Sequence, residues 1–402
     1  MARSNRLPSL DPLIPQTAKL LRPTWAEISI PALVRNFGRV RQLAAGRKVM
    51  AVIKADAYGH GAVPVARALA AQGVDWLGVA TVEEAVELRE AGIRQPLLLL
   101  GGLYMSDPAD LIAYDLTPGV SSTARLDTYA GCARREGRPI NFHLKIDTGL
   151  GRLGLPPDRL ETFVARWLEV CEGPREPMLR LTGLFTHLAS AEDLVASQTD
   201  EQSSRFAAAL DLLRPLGMNP EWIHVSNSAA LLAQIPFPEN LVRIGALLYG
   251  YCLPLRPGPG KPAPAIPEFE PILSFKSRVV YLKDVPSGTP LGYGASFFTR
   301  RASRIATLPV GYADGLSRAL SNRGRAIVRG QYAGLVGSVS MDLALLDVTD
   351  IPGVAVGDEV TLIGKSGDAR ITALEIAREL GTVPYEVLCS IGKRVPRIYV
   401  EA

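Results

Sequence analysis

Eight short apolar runs alternate with segments of helical period from about residue 31 to residue 250. The runs are KVMAVIK (48–54), DWLGVA (75–80), PLLLLGG (96–102), LTPGVSS (116–122), INFHLKID (140–147), LRLTGLFTHLA (179–189), EWIHVSN (221–227) and LVRIGALLYG (241–250). Between them lie stretches such as TVEEAVELREAGI and DRLETFVARWLEV, whose apolar residues recur three and four positions apart. Continuous apolar runs of strand length suit strands buried on both faces, and parallel strands need a crossover helix between them. Eight such units over about 220 residues predict an α/β fold, a (β/α)8 TIM-type barrel, with catalytic groups at the C-terminal ends of its strands. An open doubly wound sheet is the alternative the same alternation allows.

The rhythm stops after Tyr251, where CLPLRPGPGKPAPAIPEFEP carries proline too often for a helix or a central strand. Beyond it, SRVVYLKDV, RIATLPV, RAIVRG, LALLDVT and DEVTLIG alternate β-branched residues with glycine turns, the pattern of a mainly-β domain. The organisation expected is a flexible leader (1–23), a barrel domain (24–255), a proline-rich linker (256–270) and a C-terminal β domain (271–402). The early strand 24–30 has no place among the eight and is assigned to the sheet of the β domain. ITALEIARELG, near the end, reads as a helix.

Composition excludes several classes of function. The 44 Lys and Arg are interspersed with 40 Asp and Glu, so no basic stripe marks a nucleic-acid partner. No apolar run approaches the ~20 residues that span a membrane, and the N-terminus lacks the apolar stretch of a signal peptide. Cys132, Cys171, Cys252 and Cys389 lie far apart in sequence. That spacing fits reduced thiols in a cytoplasm rather than disulfides or zinc. His60, His143, His187 and His224 form no HxH or HxxxH pair, so no metal is expected.

Lys54 closes the first run behind Ala51, Val52 and Ile53. On its own it reads first as a strand-end lysine with its stem on apolar surface. The second reading is a desolvated amine of lowered pKa, able to form a Schiff base. Arg243 alone suggests an ion pair, Arg152 a surface charge on a glycine turn, Ser228 the N-cap of SAALLAQ, and Tyr293 a turn aromatic.

Taken together, AVIKADAYGHG, HLKIDTGLGRLG, GLFTHLAS, HVSNSAA, LVRIGALLYG, LGYGAS, LPVGYADGLSR, GSVSMDL and RVPRIY resemble, in this order, the alanine racemase family of pyridoxal 5′-phosphate enzymes. The resemblance runs from about residue 24 to residue 399. It implies a racemase interconverting L- and D-alanine, with Lys54 holding the cofactor and serving as one acid/base. Tyr293, supplied by the partner subunit of a homodimer with shared sites, is implied as the other. Proton removal on one face of the α-carbon and delivery on the other require two such groups.

The resemblance places Tyr58, Asn227, Ser228, Gly245 and Tyr249 around the cofactor phosphate and Arg152 at its phenolic oxygen. Lys145 matches a position that is often carbamylated, and His187 supports the site. Arg243 would donate to the ring nitrogen and, being unable to accept a proton, leave that nitrogen unprotonated. Met341 and Asp342 would bind substrate across the dimer interface, with Tyr312 on the entry passage. Lys393 stands where many relatives carry a phosphate-contacting tyrosine. Peptidoglycan precursor supply through D-alanine is the implied role. A serine or broader-specificity racemase, a decarboxylase of the same architecture and a non-enzymatic cofactor carrier are the alternatives.

Overall fold

A computed structural model describes residues 21–104, 106–171, 178–216, 218–260 and 264–401. The chain separates into two units: a barrel unit, Ser29–Leu273 with Ala373–Ile391, and a β unit made of the residues up to Ile28, Ser274–Thr372 and Gly392–Tyr399.

The first strand, β1 (Thr24–Ser29), is followed by β2 (Lys48–Val52), β3 (Trp76–Val79), β4 (Leu97–Leu99), β5 (Leu116–Val120), β6 (Ile140–Lys145), β7 (Leu179–Phe185), β8 (Trp222–His224) and β9 (Leu241–Ile244). Strands β2 to β9 each fall within one of the eight apolar runs, and they pair in parallel in the order β8-β7-β6-β5-β4-β3-β2-β9. The two end strands approach through Asn240 N–H to Ile223 O (3.1 Å) and Arg243 N–H to Ser226 O (2.9 Å), which brings the sheet close to a closed barrel. Met50, Trp76, Leu98 and Leu241 fill part of its interior, with Leu100 and Trp222 against them.

Local chemistry sets the helix ends. Ser29 caps the helix Ile30–Ala44 through Ala32 N–H, and Pro31 sits in the first turn, where its missing N–H has no intrahelical partner to lose. Thr81 and Glu84 form a capping box on the helix Val82–Glu90. Asn36, fully buried in the first helix, donates to Leu248 O and Glu270 O, and Glu270 pairs with Arg35 and Arg39. These bonds tie the end of the expected linker to the barrel unit; residues 261–263 of that linker lie outside the described residues.

The β unit adds β10 (Leu273–Arg278), β11 (Tyr281–Val285), β12 (Pro290–Leu291), β13 (Phe297–Phe298), β14 (Ser303–Leu308), β15 (Arg325–Val328), β16 (Gln331–Leu335), β17 (Ala344–Asp347), β18 (Glu359–Ser366), β19 (Ala369–Ile371) and β20 (Arg397–Val400). Its main sheet runs β11-β14-β17-β16-β15-β18-β10-β1-β20, so the early strand does join the β unit. The expected helix near the end is Ala373–Leu380, with a second helix, Pro384–Cys389, behind it. Both belong to the barrel unit, whereas the sequence expectation counted them in the β domain. Residues 1–20 of the expected leader lie outside the described residues. Arg22, from its last positions, is held by a bidentate pair to the fully buried Asp314 of the β unit. Among the described residues, no helix is long and apolar enough to cross a membrane.

Candidate active site

Lys54 follows β2 at the C-terminal mouth of the barrel, and the backbone on either side of it is hooked down. Ile53 N–H donates to Gly78 O (2.9 Å) and Ala55 N–H to Glu84 Oε1 (2.7 Å). Four residues without a glycine, Ala55, Asp56, Ala57 and Tyr58, then turn left-handed with φ of 52°, 53°, 52° and 56°. L-residues in that region cost about 1–2 kcal/mol each, so other contacts must hold the turn. Ala57 N–H reaches Ile53 O, Gly61 N–H reaches Asp56 O, and the Asp56 carboxylate accepts from Ala62 N–H at 2.7 Å.

The turn points Tyr58 into a cavity of about 620 Å³ whose wall also carries Lys54, Lys145, Arg152, His187 and Arg243. Four cations thus face one space, and among its lining residues only Glu192 is acidic. Burial lowers the Lys54 pKa, Arg152 adds to the shift, and Glu84 and Cys389 oppose it. Lys145 is brought down to about 8, first by burial and then by Arg243 and Arg152. Such a site favours an anionic occupant and neutral, nucleophilic lysines.

Arg243, at the third position of β9, is buried and tied on four sides. Its NH1 meets His224 O (2.6 Å) and His224 Nδ1 (3.1 Å), and its NH2 meets Thr186 O (2.6 Å), Val225 O (3.0 Å) and His187 Nδ1 (3.2 Å). Among the described residues no carboxylate pairs with it, in place of the ion pair that an isolated reading of the residue suggested. Burial brings its pKa down to about 10, so it stays cationic at neutral pH. Nε–H is the one donor of the guanidinium with no partner among the described residues.

The glycine turn bearing Arg152 folds around Asp147, whose Oδ1 accepts from the backbone N–H groups of Gly149, Leu150 and Gly151. Gly154 is required there: its φ is 151°, and a Cβ would stand 2.5 Å from Asp147 N. The loop sets Arg152 on the cavity wall, with its side chain still exposed.

At the other side of the cavity, Asn227, and not Ser228, caps the helix Ser228–Ala233, because the Asn227 Oδ1 accepts from Ala230 N–H at 3.0 Å. Ser228 is left free to accept from Gly245 N–H at 3.3 Å. A Cβ on Gly245 would stand 2.6 Å from the Tyr58 hydroxyl, so the small residue makes room for the phenol. Tyr249 does not line the cavity. Its hydroxyl donates to Val52 O (2.9 Å), and its ring packs against Tyr58 and His60 from behind.

Tyr385, from the helix Pro384–Cys389, lines the cavity and meets the Tyr58 ring edge-on at 5.7 Å. Nothing in VPYEVLC marks it as a site residue. Tyr104, Glu192 and Cys252 also line the wall and were missed. Glu84 was missed as well; its spacing from Thr81 in TVEE signals a capping box and nothing more.

The remaining candidates lie on the β unit. Tyr293 is 76% exposed, and the backbone beside it is fixed by Gly292, whose φ is 74° and whose Cβ would stand 2.6 Å from Ser338 N. Ser338 in turn donates to Tyr293 O. The same loop continues to Met341, 52% exposed, whose carbonyl accepts from Ala313 N–H beside Tyr312, 42% exposed. Asp342 pairs with Arg394, which also grips Asp314. Three large exposed side chains on one pair of joined loops form a presented surface rather than a core.

Residues 28–253 match the family described as alanine racemase, N-terminal domain, and residues 272–399 the one described as alanine racemase, C-terminal domain. Among curated relatives, the chain is 41% identical over 381 residues to alanine racemase 2 of Caldanaerobacter subterraneus subsp. tengcongensis, covering 94% of this chain and 95% of that one. It is 42% identical over 382 residues to the alanine racemase of Halothermothrix orenii, covering 95% and 98%. Among solved structures, the alanine racemase of Bacillus anthracis with bound L-Ala-P matches with a TM-score of 0.84 and 34% identity, over 95% of this chain and 96% of that one. The enzyme of Streptomyces coelicolor A3(2) matches with 0.85 and 34%, over 94% and 98%.

Proposed function

The chain belongs to the alanine racemase family, and we propose that it interconverts L- and D-alanine with pyridoxal 5′-phosphate held at Lys54. The observation that carries this reading is the meeting of Lys54, Lys145, Arg152 and Arg243 on one cavity with a single acid among its lining residues. The donor set suits the parts of that cofactor. A desolvated amine can take an aldehyde, and Tyr58 with Ser228, Asn227 and the small Gly245 can take a phosphate. Arg152 can meet a phenolic oxygen, and Arg243 Nε–H, the donor without a partner among the described residues, can meet a ring nitrogen. When bound, the cofactor withdraws electrons from the substrate's α-carbon and so makes the α-proton acidic.

The chain's own groups do the rest. Lys54, its pKa lowered by burial, takes the α-proton from the face on its side and returns it there. Arg243 can only donate, so the ring nitrogen it meets stays unprotonated. That restrains the electron sink and favours return of a proton to the α-carbon over side reactions. His187 accepts from Arg243 and keeps the guanidinium in place. Lys145, as a carbamate, orients Arg152 by charge. Tyr293 of a second copy acts on the opposite face, with Met341 and Asp342 at the substrate carboxylate and Tyr312 on the approach. The homodimer, a cytoplasmic location and a part in supplying D-alanine to peptidoglycan belong to the same proposal.

Purified protein supplied with pyridoxal phosphate and L-alanine is expected to form D-alanine, and to do so faster than with L-serine or larger L-amino acids. Lys54→Ala is expected to abolish it. A Lys54→Ala protein that still racemises, or release of carbon dioxide in place of the D-isomer, overturns the assignment.

A further inference from the structure

We infer that Glu84 is the positioning residue that sets Lys54 and Tyr58 as one unit, an inference that rests on the cofactor reading of the site. One Glu84 oxygen accepts from Ala55 N–H at 2.7 Å; the other accepts from Ala80 N–H at 2.7 Å and Thr81 N–H at 3.3 Å. A carboxylate accepts on both oxygens and donates nothing, so it satisfies three converging N–H groups at once. Two of those belong to the end of the neighbouring strand and the cap of its helix. The third is the first peptide of the left-handed turn, next to Lys54.

A helix cap does not need that third bond. Thr81 Oγ1 accepting from Glu84 N–H, with Glu84 reaching back to Thr81, already completes the capping box. The bond to Ala55 instead crosses from one strand-end loop to the next and clamps the start of four left-handed residues. The turn has no glycine to make that conformation easy, and it ends on Tyr58, whose hydroxyl faces Gly245. Release of the Ala55 amide frees Lys54 and Tyr58 together, on opposite ends of one bound cofactor.

Glu84→Gln tests this, because glutamine still completes a capping box but has one accepting oxygen for two directions. The probe is pyridoxal phosphate titrated into apoprotein, read by visible absorption and by visible circular dichroism of the bound group, with the thermal midpoint of the apoprotein measured alongside. Thr81→Ala, which loosens the same helix end without touching Ala55, is the control. Expected is cofactor affinity weakened about tenfold or more in Glu84→Gln, the loss associated with one charge-assisted hydrogen bond. Its circular dichroism should change as well, while Thr81→Ala keeps both near the wild-type values.

Equal affinity and dichroism in Glu84→Gln, or equal losses in Thr81→Ala, overturn the inference and leave the cofactor reading standing. A wild-type chain that takes up no pyridoxal phosphate overturns both. Amide exchange in the wild-type apoprotein needs no variant. Slow exchange at Ala55 supports the clamp, and free exchange there removes it.

Discussion

Arg243 fixes the tautomer of His224: its NH1 lies 3.1 Å from Nδ1 of that ring. A guanidinium has no lone pair to offer, so His224 Nδ1 must accept and its proton must sit on Nε2. His224 Nε2 lies 2.9 Å from His143 Nδ1, which therefore accepts in turn, leaving the His143 proton on Nε2. That last nitrogen is buried with no hydrogen-bond partner among the described residues. The chain of rings has one direction, outward from the arginine, and every histidine in it is neutral.

Neutrality has a measurable consequence in acid. Burial and then Arg243 push His143 down to about 3, and the same causes, with His143, push His224 well below its ordinary value. The unfolded chain takes up these two protons below about pH 6.5 while the folded chain does not. Stability from these rings is therefore complete above pH 6.5 and is lost as pH falls toward 3. Each ring contributes a slope of about 1.4 kcal/mol per pH unit. Urea unfolding of the apoprotein between about pH 6 and 5 should show the slopes of both rings added together, and His143→Phe should reduce the total by about one ring's share whatever it does to absolute stability. An unchanged slope contradicts the neutral chain.

The barrel was legible because its strands are buried on both faces and so read as unbroken apolar runs, each in place from β2 to β9. Lys54, Arg152 and Arg243 were marked as site residues by the resemblance of their motifs; read alone they suggested a strand-end lysine, a surface charge and an ion pair. What the sequence does not carry is conformation that no residue type announces. ADAY offers no glycine for its left-handed turn, and NSAA offers two polar candidates for one cap, of which Asn227 takes the role because its side chain reaches Ala230 N–H. The Pro384–Cys389 helix lies far from the barrel in sequence, so nothing local could bring Tyr385 to the site. Tyr249 sits in a motif with true lining residues, yet its hydroxyl is spent on Val52 O behind the wall.

Gly183 exposes another relation hidden from the sequence. A Cβ there would stand 2.4–2.6 Å from the ring of His143, which is fully buried and bonded to His224. The ring cannot move aside without breaking that bond. Gly183→Ala should destabilise the fold by about 1–3 kcal/mol, as overpacking of a filled interior does. A shift of the urea midpoint without a change in its slope is the expected record, together with weaker cofactor binding through the displaced Arg243. A variant as stable as wild type contradicts the contact.

Lys145 carries a prediction about carbon dioxide. Its pKa of about 8, lowered first by burial and then by Arg243 and Arg152, leaves a substantial neutral fraction at mildly alkaline pH. Carbon dioxide adds to the neutral amine as one amine proton leaves to solvent, and the resulting carbamate places a negative charge beside Arg152 and Arg243. With ¹³C-labelled bicarbonate, the wild-type protein should give a carbamate carbon signal that grows as pH rises through 8 and is absent in Lys145→Ala. The variant should also bind cofactor less well, because Arg152 then faces the cavity without an anion to orient it. A signal that persists in Lys145→Ala places the carbamate elsewhere.

The proposed sharing of the site between two copies makes a prediction that neither unit makes alone. Lys54→Ala removes the acid/base proposed for the barrel unit and Tyr293→Phe the one proposed for the β unit, so each variant dimer should be nearly inactive. In a mixed dimer with exchanged β units, one site receives both lesions and the other receives neither. Mixing the two inactive proteins under conditions that let subunits exchange should therefore restore racemisation. With random pairing, about half of the dimers are mixed, each with one intact site of two, so recovery should approach about a quarter of wild-type activity. If instead each chain supplied its own Tyr293, every site in the mixture would carry one lesion, and activity would stay at the level of the separate variants. Double-labelled subunits followed by native mass spectrometry would confirm that exchange took place, so that a failure to recover activity counts against the shared site.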